Sequence, residues 1–290
     1  MNAKAFIFFM PLQIRRIKSA PCISGNYIIT LIMMQCYLII NQRKDNMYTG
    51  KYKIAGKIIE VNSQYKRVHD YCKDYSSDEP ADFSVIITTD DILFEKQKTA
   101  SEFEYEGIQN PDFSDGLLEE TAVYRKIAEK MPDYDSFVFH GSVIAVDGIG
   151  YLFTAKSGTG KSTHTRLWRE RFGDRAVMVN DDKPLISVGN NGIIAYGTPY
   201  NGKHRLGNNI SVPLKAICIL ERSAENHIRR ISKAEAYAML LQQVYRPHDN
   251  VQMSKTLKLV DKMAESVELY RLGCNMDIDA ADVAYNGMKG

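Results

Sequence analysis

The chain has 290 residues, of which 44% are hydrophobic and 25% are charged, as in an ordinary globular protein with one large domain or two moderate ones. Its 37 Lys and Arg residues nearly balance its 35 Asp and Glu residues. No overall electric field therefore draws the protein to nucleic acid or to an anionic membrane. The five cysteines are odd in number and contain no C-x-x-C pair, which favours reduced thiols in a cytoplasmic protein over a disulfide framework.

The first 46 residues differ from the rest of the chain. A basic segment, 15–18, precedes a charge-free stretch whose apolar part, 27–40, resembles a signal or anchor sequence. This apolar part is short for a membrane span, and no small-residue cleavage site follows it. We interpret residues 1–46 as an N-terminal extension or a misassigned start ahead of Met47, with a membrane-associated helix as the alternative.

Residues 47–133 are predicted to form a small α/β accessory domain. Residues 52–61 alternate as a strand does, residues 64–72 are compatible with a short helix, and residues 83–88 are a second strand candidate.

The segment 101–120 is rich in Asp and Glu and contains Pro111 and Gly116. Its carboxylates follow no metal-ligand spacing, so we predict a solvated connection rather than a metal site. An amphipathic helix over 117–130 is then expected to lead into the second domain, residues 134–290.

The second domain is predicted to begin with apolar strands over 137–141 and 142–146. Asp147-Gly148 is typical of a hairpin turn, and it leads through Gly150 into another apolar run, 151–154.

The segment from Ala155 to Thr163, A-K-S-G-T-G-K-S-T, connects that apolar run to a predicted helix. Glycines let consecutive backbone N–H groups surround an anion, and the helix presents its unpaired N–H groups to the same place. Lys161 would bring a positive charge to the β and γ phosphates, and the Ser162 hydroxyl would offer an oxygen to Mg²⁺. This is a Walker A pattern with Ala155 at the first glycine position; a flexible turn without a ligand is the alternative. The predicted nucleotide-binding residues are Ser157, Gly158, Thr159, Gly160, Lys161, Ser162 and Thr163.

A predicted strand over 176–179 ends in Asn180-Asp181-Asp182, as a Walker B element does. Two adjacent carboxylates at such a strand end permit one to hold Mg²⁺ and the other to accept a proton from an attacking hydroxyl. We predict Asp181 and Asp182 as catalytic residues and place Asp182 with Ser162 at the metal, while the division of roles between the aspartates stays open. In isolation, such a pair is more often a solvated turn.

His140 ends a predicted strand shortly before the phosphate loop. From that position it could lie near the two aspartates and influence their protonation, so it is a third catalytic candidate. A satisfied structural histidine is the alternative.

The long polar segment 197–209 has glycines for mobility and cations for anion binding. Lys203 and Arg205 in this segment are candidates for holding a γ-phosphate or an acidic substrate, and Arg246 is a third. A plain basic surface loop is the alternative. A strand over 211–220 and helices over 233–245 and 254–266 are expected after it.

Together, His140-Gly141, the strands after it, the segment 155–163 and Asn180-Asp181-Asp182 resemble the catalytic domain of HPr kinase/phosphorylase, a family related in fold to phosphoenolpyruvate carboxykinase. The resemblance covers roughly residues 137–220. From Gly197 onward, including 210–215 and 271–277, the chain is similar to uncharacterised HPr-kinase-like proteins of bacteria rather than to the true enzyme. The Glu-x-Arg-Gly-x-Gly signature of the family has no clean counterpart, because Lys203–Gly207 keeps an arginine and a glycine but lacks the glutamate.

The resemblance implies an α/β P-loop kinase domain that uses ATP and Mg²⁺ to phosphorylate a hydroxyl, on a serine of a protein or on a small molecule. It implies that Lys161 binds phosphates, that Ser162 and one aspartate serve Mg²⁺, and that the other aspartate acts as base with His140. Related kinases often form rings, so the resemblance is also compatible with a homo-oligomer. Two other functions stay open, namely an ATP-binding sensor that transfers no phosphate and a carboxykinase-like metabolic enzyme.

Overall fold

The computed structural model describes residues 47–290 except Ser157, Asn191 and Lys203, together with the backbone but not the side chain of Glu106. The interpretation of residues 1–46 therefore lies outside the described residues. Residues 47–290 are mixed α/β, as the sequence predicts, and they cluster as one unit. Within this range, no helix is both long enough and apolar enough to cross a membrane.

Three strands form a small N-terminal sheet. Strands β1 (Tyr48–Ile54) and β2 (Lys57–Ser63) are antiparallel, and β3 (Phe83–Ile86) pairs with β2 in parallel. Ala55 and Gly56 between β1 and β2 both have positive φ, 49° and 73°, as a tight hairpin turn requires. The single strand predicted over 52–61 was therefore wrong, because a two-residue turn reverses the chain while interrupting the apolar pattern only briefly.

The same part of the chain contains three helices, α1 (Arg67–Cys72), α2 (Thr89–Glu106) and α3 (Asp115–Lys130). The first and third confirm predicted helices, but the acidic segment predicted as a connection is helical at both ends, and the connection is confined to 107–114. Helix α2 is stabilised at its start by a capping box, in which the Thr88 side chain accepts from the N–H of Asp91 and Asp91 accepts from the N–H of Thr88. Exposed acidic residues are compatible with a helix, so composition alone was misleading there.

The rest of the described chain builds a nine-stranded sheet with four helices. The strands are β4 (Ser136–Val138), β5 (Ser142–Val146), β6 (Ile149–Thr154), β7 (Ala176–Asn180), β8 (Leu185–Gly189), β9 (Gly192–Tyr196), β10 (Ser211–Arg222), β11 (His227–Arg230) and β12 (Glu268–Cys274). The helices are α4 (Lys161–Phe172), α5 (Lys233–Gln243), α6 (Asn250–Ser266) and α7 (Asp279–Met288). These elements confirm the strands and helices predicted from residue 137 onward, although β8, β9, β11, β12 and α7 were not anticipated.

The sheet curls through its long strand β10. The strand order is β4-β8-β9-β10-β6-β5-β7, and β12 also pairs with β10 and carries β11 on its other side. The first residues of β10, Ser211 to Pro213, pair with β9, whereas its later residues lie between β6 and β12. One strand thus joins two parts of the sheet.

The carboxyl ends of three strands lie at one edge of the sheet. Strand β10 is parallel to β6, and β5 is antiparallel to both β6 and β7. Strands β6, β7 and β10 therefore run in the same direction, and their carboxyl ends meet at the same edge of the sheet. The loop after β6 and the acid pair after β7 follow these ends.

Apolar side chains cover both faces of the sheet. Leu240 of α5 and Met263 of α6 are fully buried on one face, and Trp168 of α4 and Ala284 of α7 are fully buried on the other. A third cluster joins the N-terminal sheet and α3 to Tyr200 and to residues of β4 and β8. The domain boundary at residues 133 and 134 stays a prediction, and apolar contacts cross it.

Candidate functional site

The loop between β6 and α4 has free space beside its glycines. Gly158 and Gly160 have φ of 73° and 117°, which is left-handed backbone that favours glycine. A Cβ added at Gly158 would meet no atom within 4 Å, and one at Gly160 would meet only the Thr163 side chain at 3.9 Å. Ala155 is fully buried and is not in left-handed backbone, so alanine carries no penalty there. Ser157, predicted to bind nucleotide, lies outside the described residues.

Arg222 holds this loop from the neighbouring strand. It is the last residue of β10, and its Nη2 donates to the carbonyl oxygen of Gly158 at 2.7 Å. This arginine was not among the site residues predicted from the sequence. A signal existed, because a basic residue at the end of an apolar strand parallel to β6 is expected at the same edge as the loop.

Asp181 is directed at the first turn of α4. Its carboxylate Oδ1 accepts from the Ser142 hydroxyl at 2.9 Å and from the Thr165 hydroxyl at 3.5 Å, and the residue is buried. Thr165 lies one helical turn after Lys161, and its hydroxyl also donates to the carbonyl oxygen of Ser162 at 3.2 Å. The Asp181 carboxylate is therefore fixed beside the residues that follow the loop.

Asp182 is positioned through its backbone. The side-chain oxygen of buried Asn180 accepts from the N–H groups of Asp182 and Lys183 at 2.9 and 2.8 Å. The amide nitrogen of the same side chain donates to the Thr198 hydroxyl at 3.0 Å, and the Asp182 carbonyl accepts from the N–H of Gly141 at 3.0 Å. The turn is thus fixed, while the Asp182 side chain keeps about a third of its surface exposed.

His140, Asp182 and Lys161 interact electrostatically. Nε2 of His140 lies 3.5 Å from Oδ1 of Asp182, and Nζ of Lys183 lies 3.9 Å from Oδ2. Burial and then the charge of Lys161 lower the pKa of His140 below its ordinary value, with Asp182 acting in the opposite direction. Burial also lowers the pKa of Lys161, against the attraction of Asp182 and then Asp181. Lys161 therefore interacts electrostatically with both aspartates and with the histidine.

The segment 197–209 lies beside this cluster. A Cβ at Gly202, where φ is 78°, would meet the Asp182 side chain at 3.4 Å. The Arg205 guanidinium lies 4.0 Å over the ring of Tyr71 and donates to the carbonyl oxygen of Tyr71 at 3.4 Å, so its described contacts are with the N-terminal region. Lys203 lies outside the described residues.

Two cavities flank the cluster. One, of about 540 Å³, is lined by the loop residues Gly158–Gly160, by Thr163 and His164 of α4, and by residues at the ends of β10 and β12. The other, of about 740 Å³, is lined by His140, Lys183 and Arg246 together with residues of α2 and α3. Both volumes are typical of small-ligand sites. The structure thus brings Arg246 to the same cavity as His140.

A buried histidine, His164, lies in the wall of the smaller cavity. The indole N–H of Trp168 donates to Nε2 of His164 at 3.0 Å, and burial lowers the pKa of this histidine to about 4. Because an indole N–H only donates, Nε2 must be the unprotonated nitrogen, and the proton lies on Nδ1. Nδ1 is buried and has no hydrogen-bond partner among the described residues. A buried donor without a partner costs free energy.

These features define a class, namely an α/β protein with a glycine-containing strand–loop–helix turn facing a carboxylate pair. A family model matches residues 116–277, which is more than half of the chain. The chain belongs to the family described as SynChlorMet cassette protein ScmC.

Among solved structures, the HPr(Ser) kinase/phosphatase from Coxiella burnetii is similar over 43% of this chain and 88% of that chain, with 15% sequence identity and a TM-score of 0.26. No curated protein matches the chain. The family model that matches the chain is that of ScmC and not that of a kinase family.

Proposed function

We propose that this protein transfers the γ-phosphate of ATP to a hydroxyl group with the help of Mg²⁺. The observation that carries the proposal is the position of Lys161. This residue opens α4 directly after the left-handed glycines and interacts with the charges of Asp182 and Asp181. A lysine at the start of a helix, after an open loop and opposite two carboxylates, suits a metal-bound triphosphate. Since the reaction consumes ATP, we place it in the cytoplasm.

The loop and the smaller cavity would hold the nucleotide. Backbone N–H groups of Gly158, Gly160 and the first turn of α4 would donate to the phosphates, and Lys161 would neutralise the β and γ groups. Arg222 keeps the loop in place through its bond to Gly158. The nucleoside would then occupy the 540 Å³ cavity.

The donors present fit Mg²⁺, which prefers oxygen ligands and commonly takes only one or two carboxylates beside water and phosphate. Asp181, fixed toward the turn of α4 that contains Ser162, suits this role better than Asp182. When bound, the ion would neutralise charge on the phosphates. Our assignment of Asp181 differs from the sequence prediction, which placed Asp182 with Ser162.

Asp182 would then receive the proton of the attacking hydroxyl. It is the more exposed of the two carboxylates and adjoins His140. A lowered pKa keeps His140 neutral near pH 7, so it orients the carboxylate without cancelling its charge. The hydroxyl oxygen attacks the γ-phosphorus once its proton has an acceptor.

The test is to incubate the full chain with γ-labelled ATP and a whole-cell extract, and to compare it with Lys161→Ala. We expect a labelled acceptor with the parent and loss of most label with the variant. Lys258→Ala, which removes an exposed lysine of α6 outside both cavities, serves as control and should label like the parent. ATP binding that depends on Lys161 with no labelled acceptor would instead identify a sensor.

A further inference from the structure

The larger cavity lies on the His140 side of the cluster and has the size of a small-molecule site. Its volume is about 740 Å³, and its lining includes Lys98, Tyr124, Arg125, His140, Lys183 and Arg246. Small ligands usually occupy cavities of roughly 300–1,000 Å³. The exposed residues Lys98 and Glu102 of α2 are part of the wall, so the cavity is accessible from solvent.

The wall of this cavity is joined to the candidate catalytic residues. The N–H of His140 donates to the carbonyl oxygen of Gln243 at 2.7 Å, which connects the histidine to the last residue of α5. The Tyr124 hydroxyl donates to the carbonyl oxygen of Lys183 at 2.6 Å, and the Tyr124 ring stacks on Tyr200 at 3.9 Å. A ligand in the cavity therefore meets His140 and Lys183, the two neighbours of the Asp182 carboxylate.

The charges that line the cavity are not all matched. Glu95 is paired with Arg125 at 2.5 Å, and Asp91 also pairs with Arg125 at 3.1 Å, so these groups satisfy one another. Lys183 has only a loose contact with Asp182, at 3.9 Å. Arg246 is exposed and donates to the carbonyl oxygen of Leu241 at 3.4 Å, with no carboxylate partner among the side chains that the structure describes. Two cations on the His140 side are thus available to an anionic ligand.

We propose that this cavity binds the phosphate acceptor, and that the acceptor is a small anion that also carries a hydroxyl group. The inference rests on the proposed function and specifies its substrate class. The acceptor's carboxylate or phosphate group contacts Lys183 and Arg246, while its hydroxyl faces Asp182. The hydroxyl oxygen bonds to the γ-phosphorus of ATP, the bond from that phosphorus to the β–γ bridging oxygen breaks, ADP leaves, and the hydroxyl proton passes to Asp182.

The acceptor class is tested by dividing a cell extract across a membrane that retains proteins and peptides. Each fraction is incubated with the full chain and γ-labelled ATP, and labelled products are identified by mass spectrometry. We expect a labelled small molecule whose precursor carries a carboxylate or phosphate. Label found only in the retained fraction, as for a peptide or protein acceptor, overturns the inference while sparing the proposed kinase activity, and so does a precursor without an anionic group. Absence of label from both fractions would defeat the proposed function itself.

The role of the two cations is tested with the acceptor identified in this way. Arg246→Ala and Lys183→Ala should each raise the KM for the acceptor about ten-fold or more, because each removes a charged hydrogen bond. The KM for ATP should stay near that of the parent. Arg230→Ala, which removes an exposed arginine of β11 outside both cavities, is the matched control, and Arg246→Lys should recover part of the loss. An unchanged acceptor KM in both alanine variants, or an equal rise in the KM for ATP, would overturn the inference.

Discussion

Oδ1 of Asp182 lies 3.5 Å from Nε2 of His140, and burial together with Lys161 holds the pKa of that imidazole below its ordinary value of 6.5. The imidazole is therefore mostly neutral near pH 7. Asp181, one residue earlier, differs because it is buried and accepts from two hydroxyl groups. Two adjacent acids thus have distinct surroundings, which is the condition for distinct roles.

Asp182→Asn is expected to lower the rate of phosphate transfer by about 10²–10⁴, because the variant removes the base while keeping the shape of the turn. ATP affinity should remain close to that of the parent, since the loop and Lys161 are untouched. Single-turnover transfer and equilibrium ATP binding measure the two effects separately. Asp90→Asn, an exposed carboxylate in the first turn of α2, is the control. A transfer rate equal to that of the parent would contradict the assignment of Asp182 as base.

Arg222→Met is expected to weaken ATP binding about ten-fold, because it removes a charged hydrogen bond that holds the loop carbonyl of Gly158. The methionine keeps most of the apolar part of the side chain, so the wall of the smaller cavity stays filled. Isothermal titration with ATP measures the change. Arg230→Met makes the same substitution on the exposed strand β11 and should bind ATP as the parent does. Equal affinities for Arg222→Met and parent would show that the loop does not depend on this bond.

Asn180→Ala is expected to reduce the free energy of unfolding by about 2–4 kcal/mol, because two N–H groups, those of Asp182 and Lys183, lose their acceptor. Transfer should fall as well, since the turn that aims Asp182 is no longer fixed. Urea unfolding gives the stability and labelled ATP gives the transfer rate. Asn190→Ala, in an exposed turn, should change neither. Full stability in Asn180→Ala would mean that other groups satisfy the turn.

The loop and the acid pair could be predicted from the sequence because each is a local pattern. A strand, a short glycine loop and a helix follow one another between Ile149 and Phe172, so nearest neighbours along the chain determine the geometry. The pair Asp181-Asp182 ends a strand whose apolar run is equally plain in the sequence. The two lie at one edge because β6 and β7 run in the same direction with only β5 between them.

The contacts that complete the site could not be predicted in the same way. Ser142 reaches Asp181 because β5 lies between β6 and β7, and Arg222 reaches Gly158 because β10 is the other neighbour of β6. Strand order is set by long-range packing, which no local pattern records. The larger cavity is also lined by residues of α2. This helix was not predicted, because its last residues belong to the acidic segment that was interpreted as a connection. Its Thr88-x-x-Asp91 start was the available signal.

His164 makes the stability of the protein depend on pH. Burial lowers its pKa from 6.5 to about 4, so between these values the unfolded chain binds a proton that the folded protein excludes. The free energy of unfolding should therefore fall as the pH drops through 6.5, by about 1.4 kcal/mol for each unit down to about pH 4.

Urea unfolding of the parent and of His164→Gln at about pH 7.5 and about pH 5.5 measures this contribution, because the variant has no imidazole at that position. The difference in unfolding free energy between the two pH values should be smaller in His164→Gln than in the parent. His204→Gln, which replaces an exposed histidine, should keep the pH dependence of the parent. If His164→Gln and the parent lost the same stability on acidification, the buried imidazole would not be held neutral as the structure indicates.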